Sequence, residues 1–196
     1  MSTEKLNNPS ARFAKIASMG EVLFHTTDFA VLWGIHDKNT LYTTLKRYCQ
    51  KGLLFRVYKG LYSIVPIEKL SPPLLGAKAL HSYCYISTES ILTQEGIIVQ
   101  SIPYTTYVSS FSKTFQIGTQ HYKSRQLDTK FLLNPLGVYE NNGVLFATPT
   151  RAVADILYFS PRFYFDHAQA ISWKEVKQLQ EELNYPLTPN RYDDLA

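Results

Sequence analysis

Cysteine is scarce in this chain: of 196 residues only Cys49 and Cys84 carry a thiol. No second pair stands at the short spacing from which a zinc knuckle is built. Each lies among aromatic and aliphatic neighbours, so both are expected to be buried, reduced thiols. Long apolar runs are missing too. None approaches the ~20 residues that cross a bilayer as a helix, and the first residues contain no hydrophobic stretch of the signal-peptide kind. A soluble, cytoplasmic protein with no membrane partner is the expectation. The sequence has no GxGxxG, no P-loop and no serine in a GxSxG setting. Its histidines (His25, His36, His81, His121, His167) are scattered, with no pair at ligand spacing. No cofactor is expected, and neither an internal repeat nor a low-complexity tract is found.

Over one stretch the chain also lacks acid. From Lys38 to Ile67, thirty positions pass without an Asp or Glu. Residues 1–70 hold ten Lys/Arg against five acids, a net +5, whereas the remainder holds ten against eleven and is close to neutral. Electropositive character therefore belongs to the first third of the chain. At 45% hydrophobic residues there is enough apolar material for one large domain or two small ones.

Periodicity predicts three short helices at the start. Ser10 to Met19 has Phe13, Ile16 and Ala17 at helical spacing and is ended by Gly20. Val22-Leu23-Phe24 reads as an extended link, and Thr26-Thr27-Asp28 as a polar cluster capping a second helix that runs to about Trp33. After Gly34-Ile35-His36, Asp37 is placed to cap a third helix from Lys38 to Lys51, with Gly52 at its exit. This is a helix-turn-helix outline. On the third helix Leu41, Leu45 and Tyr48 make a core stripe with Cys49 beside it, and Asn39, Tyr42, Thr43, Lys46, Arg47 and Gln50 fall on the other side. Leu53 to Val65 is rich in β-branched and aromatic residues and is broken only at Lys59-Gly60, which predicts a hairpin with Arg56 and Lys59 near its tip. Tyr58 and Tyr62 are read as packing residues. Pro66, Pro72 and Pro73 then mark a boundary, giving domains at 1–72 and 73–196.

The second region reads as α+β with a mixed or mostly antiparallel sheet. A short helix from Leu74 to His81 precedes a strand ending at Tyr85-Ile86. Ser87 to Gly96 reads as a capped helix closed by Gly. Strands are expected at Ile97 to Ile102, Tyr104 to Ser110, Thr114 to Gly118, Gln120 to Leu127 and Lys130 to Leu133. A hairpin from Val138 to Ala147 turns at Asn141-Asn142-Gly143. Helices return at Thr150 to Phe159 and Trp173 to Leu183, and Tyr185 to Ala196 reads as a loosely held tail.

The segment Lys-Gly-Leu-Leu-Phe-Arg-Val-Tyr-Lys-Gly-Leu-Tyr-Ser-Ile-Val-Pro (Lys51 to Pro66), with the helices before it, resembles the winged-helix domain of AbiEi-family antitoxins and their stand-alone regulator relatives. Tyr85 to Gly96 is similar to that family's strand-helix phrase, Val108 to Phe115 to its central strand and turn, and Ala147 to Tyr158 to its late helix. The likeness spans about residues 10 to 160 in order. It implies a winged helix-turn-helix that binds inverted repeats upstream of its own operon and represses it. It also implies a C-terminal domain that counteracts a nucleotidyltransferase-like toxin encoded nearby, without a stable complex. Where relatives often carry a cluster of arginines, in Val108 to Phe115, this chain has Lys113 as the only cation. Neutralisation of a toxin is thereby put in question; repression is not.

Three functional classes follow. In the first, double-stranded DNA is the partner, and Lys38, Asn39, Tyr42, Thr43, Lys46 and Arg47 on the third helix, with Arg56 and Lys59 on the hairpin, supply the amide, hydroxyl and cationic groups that base edges and phosphates require. The second is a protein-interaction module in which the same helix is merely solvated. A metal-dependent nuclease is the third: Asp155 with Glu175-Val176-Lys177 would hold Mg²⁺ beside an attacked phosphate. The alternating Glu and Lys of Trp173 to Leu183 are, however, the pattern of a surface helix, and the chain is not expected to be an enzyme.

Overall fold

A computed structural model describes residues 8–186 and residue 192. The chain is α+β and divides into two compact units, Met1–Ser71 and Pro72–Ala196. Among the described residues no helix is long and apolar enough to cross a membrane.

In the first unit α1 (Pro9–Ala17) starts with the Asn8 side chain accepting the Ser10 N–H and with proline in the first turn. The predicted link before the second helix is instead a strand, β1 (Leu23–His25). It pairs antiparallel with β3 (Leu61–Ser63), which also pairs with β2 (Phe55–Tyr58), in the order β1-β3-β2. Three residues are too few to show alternation, so this strand leaves no periodic trace in the sequence. Helix α2 (Thr26–Trp33) is capped one residue earlier than predicted. Asp28 reaches back to accept the His25 N–H at 2.6 Å, while Thr26 gives both its N–H (2.8 Å) and its hydroxyl (3.1 Å) to the Gly60 carbonyl in the hairpin turn. Helix α3 (Lys38–Gln50) follows a turn in which Gly34 takes the left-handed conformation at φ 64°. The core collects Ile16, Phe24, Phe29, Trp33, Leu41, Leu45, Tyr48, Leu54 and Tyr62. Phe29 is at its centre, with ring centroids 4.7 Å from Trp33, 5.6 Å from Phe24 and 5.9 Å from Tyr62.

The second unit carries a six-stranded mixed sheet, in the order β6-β7-β5-β4-β9-β8. The strands are β4 (Cys84–Ile86), β5 (Tyr104–Ser109), β6 (Lys113–Ile117), β7 (Gln120–Gln126), β8 (Val138–Asn141) and β9 (Val144–Ala147). β5 with β7 and β4 with β9 are parallel, and the other pairs antiparallel. Asn142 and Gly143, both at positive φ, turn the β8–β9 hairpin as predicted. Helix α4 (Pro72–Leu80) lies on the sheet through Gly76, where an added Cβ would come within 2.6 Å of the Tyr122 ring and collide with the Tyr107 hydroxyl. Helices α7 (Pro149–Phe159) and α8 (Trp173–Glu182) pack on one another.

Four expectations for this unit are corrected. Ile97 to Ile102 is not a strand: the Ile97 and Ile98 N–H groups close the preceding helix on the Leu92 carbonyl, and Val99 N–H donates to Asp166. Lys130 to Leu133 belongs to a short helix, α6 (Thr129–Leu132), because Asp128 caps it by accepting the Lys130 N–H. Helix α5 (Glu89–Gln94) is not capped by its own Ser and Thr. Ser87 donates to Asp155 instead, and the Ser90 N–H is received by the Thr106 hydroxyl of β5 at 2.9 Å. Nor does the tail begin loosely. Tyr185 is buried with its hydroxyl on Asp155, and Tyr192 stacks on Trp173 at 4.6 Å. Residues 187–191 and 193–196 of that segment lie outside the described residues.

Candidate nucleic-acid interface

Helix α3 separates its two faces cleanly. Leu41, Leu45 and Tyr48 are buried, and Tyr48 also donates its hydroxyl to the Pro9 carbonyl at 2.9 Å. Lys38, Asn39, Tyr42, Thr43, Lys46 and Arg47 are all exposed. At the head of the helix Asp37 accepts the Thr40 N–H at 2.6 Å, and hydrogen bonding from Thr40 holds its carboxyl below the ordinary range. The last acid before the acid-free run is thus committed to the cap.

Lys59 is exposed in the turn between β2 and β3, next to Gly60 at φ 70°. Arg56 is not beside it. It sits opposite Tyr62 within the ladder, before the register shift between Arg56 and Tyr58. Burial pushes the Cys49 thiol and the Tyr62 phenol up, and the nearby Arg56 charge opposes both. Tyr42 is close enough to act on the same Tyr62. Arg56 therefore joins the flank of α3 that carries Tyr42 and Cys49, and only Lys59 occupies the tip. Cys49 is partly buried against the core rather than fully buried, while Cys84 is buried and its thiol is pushed up to about 12 by desolvation. Both thiols are free.

No family model matches the chain, and no curated protein does. The chain is similar in fold to a solved structure, the crystal structure of the RV2827C protein from Mycobacterium tuberculosis, at 10% sequence identity and a TM-score of 0.52, over 86% of this chain and 69% of that one. The second unit holds 125 of the 196 residues (196 minus 71), so a likeness over 86% of the chain extends into both units.

In the second unit the residues considered for metal-dependent cleavage have separate surroundings. Asp155 is fully buried. It accepts from Arg151 Nε at 2.9 Å, from the Ser87 hydroxyl at 2.7 Å and from the Tyr185 hydroxyl. Arg151, also without exposed surface, sends its remaining N–H groups to the Tyr85 hydroxyl and to the carbonyls of Phe131, Asn134 and Leu136. Burial, reinforced by the Asp155 charge, pushes the Tyr85 and Tyr185 phenols well above their ordinary range. Glu175 and Lys177 are exposed on α8. Among the described residues no group of three His, Cys, Asp or Glu is placed to hold a metal ion.

Lys113, the one cation of its phrase, has company from the neighbouring strand. A groove of about 460 Å³ is lined by Lys113, Thr114, Lys123, Arg125 and Phe159 among others. Arg125 is ion-paired with Glu89, and its guanidinium lies 5.5 Å from the Phe159 ring. The sequence concealed this because the cations belong to a strand paired in register with Thr114, beyond the phrase itself.

Proposed function

We propose that the N-terminal unit is a winged helix-turn-helix and that the chain is a DNA-binding transcriptional repressor of the AbiEi kind. One observation carries the proposal: the exposed face of α3 has amide, hydroxyl and cationic groups and no acid, and Arg56 extends that face onto the hairpin. A face that is merely solvated normally mixes both signs; one that meets a polyanion excludes its own. Asn39, Tyr42 and Thr43 take the base-reading position at the start of the helix, and Lys38, Lys46, Arg47, Arg56 and Lys59 take phosphates. Two copies on adjacent half-sites would read an inverted repeat upstream of the chain's own gene. A nucleotidyltransferase-like toxin gene beside it would make the protein an antitoxin as well, with the near-neutral C-terminal unit as the part that acts on the toxin.

The test is a mobility-shift titration on duplexes from upstream of the gene and on a random pool, at several salt concentrations. If all five cations take phosphates, the logarithm of affinity falls with that of salt at a slope of about −4 to −5, from 0.9 per phosphate. Absence of any sequence-selective shift across the salt series rejects the reading. A stable stoichiometric protein partner found in its place would favour the interaction-module class.

A further inference from the structure

The first turns of a recognition helix meet base edges, while later turns and flanking loops meet phosphates. In α3 those first positions are Lys38 to Thr43. Leu41 is buried and the Thr40 N–H serves the Asp37 cap, which leaves Lys38, Asn39, Tyr42 and Thr43. Arginine, the commonest reader of guanine, does not occur in α3 before Arg47. Tyr42 is the anomaly in this set. Its side chain is 53% exposed, although the core beneath is already filled by Leu41, Leu45, Tyr48 and Tyr62. Folding accordingly gives no account of an aromatic ring at this place.

In the major groove the thymine 5-methyl is the one apolar group that a base presents, and apolar side chains recognise it by contact. Asn39 lies three residues before Tyr42, on the adjoining part of the exposed surface. Its amide has the donor and acceptor that pair with adenine N7 and N6. We infer that Tyr42 is a specificity-determining residue that packs its ring on a thymine methyl in the major groove, next to an adenine read by Asn39, so that each half-site centres on A·T pairs. This inference rests on the DNA-binding reading above.

The experiment begins with duplexes that the full-length wild-type protein enriches from a random pool. In an enriched duplex each thymine is replaced singly by deoxyuridine, which removes the methyl and nothing else. Wild-type affinity is expected to fall about fourfold at one thymine of each half-site, the worth of one buried methyl. Tyr42→Ala should bind more weakly and be indifferent to that replacement, whereas Tyr42→Phe should keep the sensitivity, since the ring and not the hydroxyl makes the contact. Replacing the neighbouring adenine by 7-deazaadenine should weaken the wild type and leave Asn39→Ala unaffected. If Tyr42→Ala responds to deoxyuridine as the wild type does, or if no single thymine matters, the inference is overturned while DNA binding stands. If no duplex is enriched at any salt, the DNA reading fails and takes the inference with it.

Discussion

In the N-terminal unit the cations of α3 and the hairpin all stand in water, whereas the C-terminal unit carries an arginine, Arg151, with no exposed surface. The two arrangements answer different demands. Lys38, Lys46, Arg47, Arg56 and Lys59 keep their hydration in the folded chain, so they contribute little to folding. Arg151 lost its water during folding, and every N–H it owns was replaced by an internal acceptor. The carbonyls of Phe131, Asn134 and Leu136 come from the segment between β7 and β8, so one guanidinium fixes an irregular stretch that has little ladder of its own.

The largest effect should come from breaking that arrangement. Arg151→Ala leaves the Asp155 carboxylate buried beside two phenols and should cost about 3–5 kcal/mol, read by denaturant unfolding of the full chain. A loss below about 1 kcal/mol would mean that the buried and exposed arginines do not differ in the way described. Gly76→Ala should cost about 1–3 kcal/mol, because a methyl there drives α4 away from Tyr107 and Tyr122. Thermal melting gives the readout, and an unchanged midpoint would show that α4 shifts freely over the sheet.

A third effect depends on acidity. Burial tends to raise the Glu89 carboxyl, but the neighbouring Thr88 hydroxyl, the Glu89 backbone and the charge of Arg125 outweigh it and hold the group below its ordinary 4.5. A folded value below the unfolded one gives stability that is present above the unfolded value and is lost as pH falls through the folded one. The wild type should therefore lose stability below about pH 4.5 more steeply than Glu89→Gln, as followed by unfolding at a series of acidic pH values. Equal slopes would remove the Glu89–Arg125 pair from the account. Smallest in stability are Lys46→Ala and Arg56→Ala, each expected to shift it by no more than about 0.5 kcal/mol. Each should nevertheless weaken DNA binding and lower the salt slope by about 1. A melting loss comparable to that of Arg151→Ala would put these cations in the same class as the buried one.

How far the sequence disclosed this structure depended on whether a signal was local. The faces of α3 were legible because Leu41, Leu45 and Tyr48 repeat at the helical period, and the β8–β9 turn because Asn142 and Gly143 tolerate positive φ. Asp37 and Gly52 bracketed α3 for similar reasons of capping. What failed were segments whose backbone partners lie far away in sequence. β1 exists only by pairing with residues about forty positions on, and Ile97 to Ile102 looked like a strand because it is rich in apolar β-branched residues, although Ile97 and Ile98 close the preceding helix on Leu92 and Val99, which is exposed, bonds Asp166 far along the chain. Arg56 was assigned to the hairpin tip because turn length alone does not reveal the register shift in β2. Arg151 and Asp155 did leave a trace, as opposite charges four apart among Ala152, Val153, Ala154 and Ile156, all buried. Read as a surface pair, that spacing is common; its apolar interior was the clue to burial.

Thr26 gives the hairpin a property of timing. By placing both its N–H and its hydroxyl on the Gly60 carbonyl, it anchors the turn that carries Lys59 to the start of α2 before any ligand arrives. The entropy of ordering that turn is then lost during folding and not at the encounter, which favours a faster and less temperature-sensitive association than a free loop would allow. Hydrogen exchange at the Thr26 amide reports the same anchor from the other side: slow exchange in the unliganded protein marks a turn already set, and faster exchange in Thr26→Ala, which removes the hydroxyl bond but keeps the amide one, would show how far the hydroxyl holds the turn without touching a single charge.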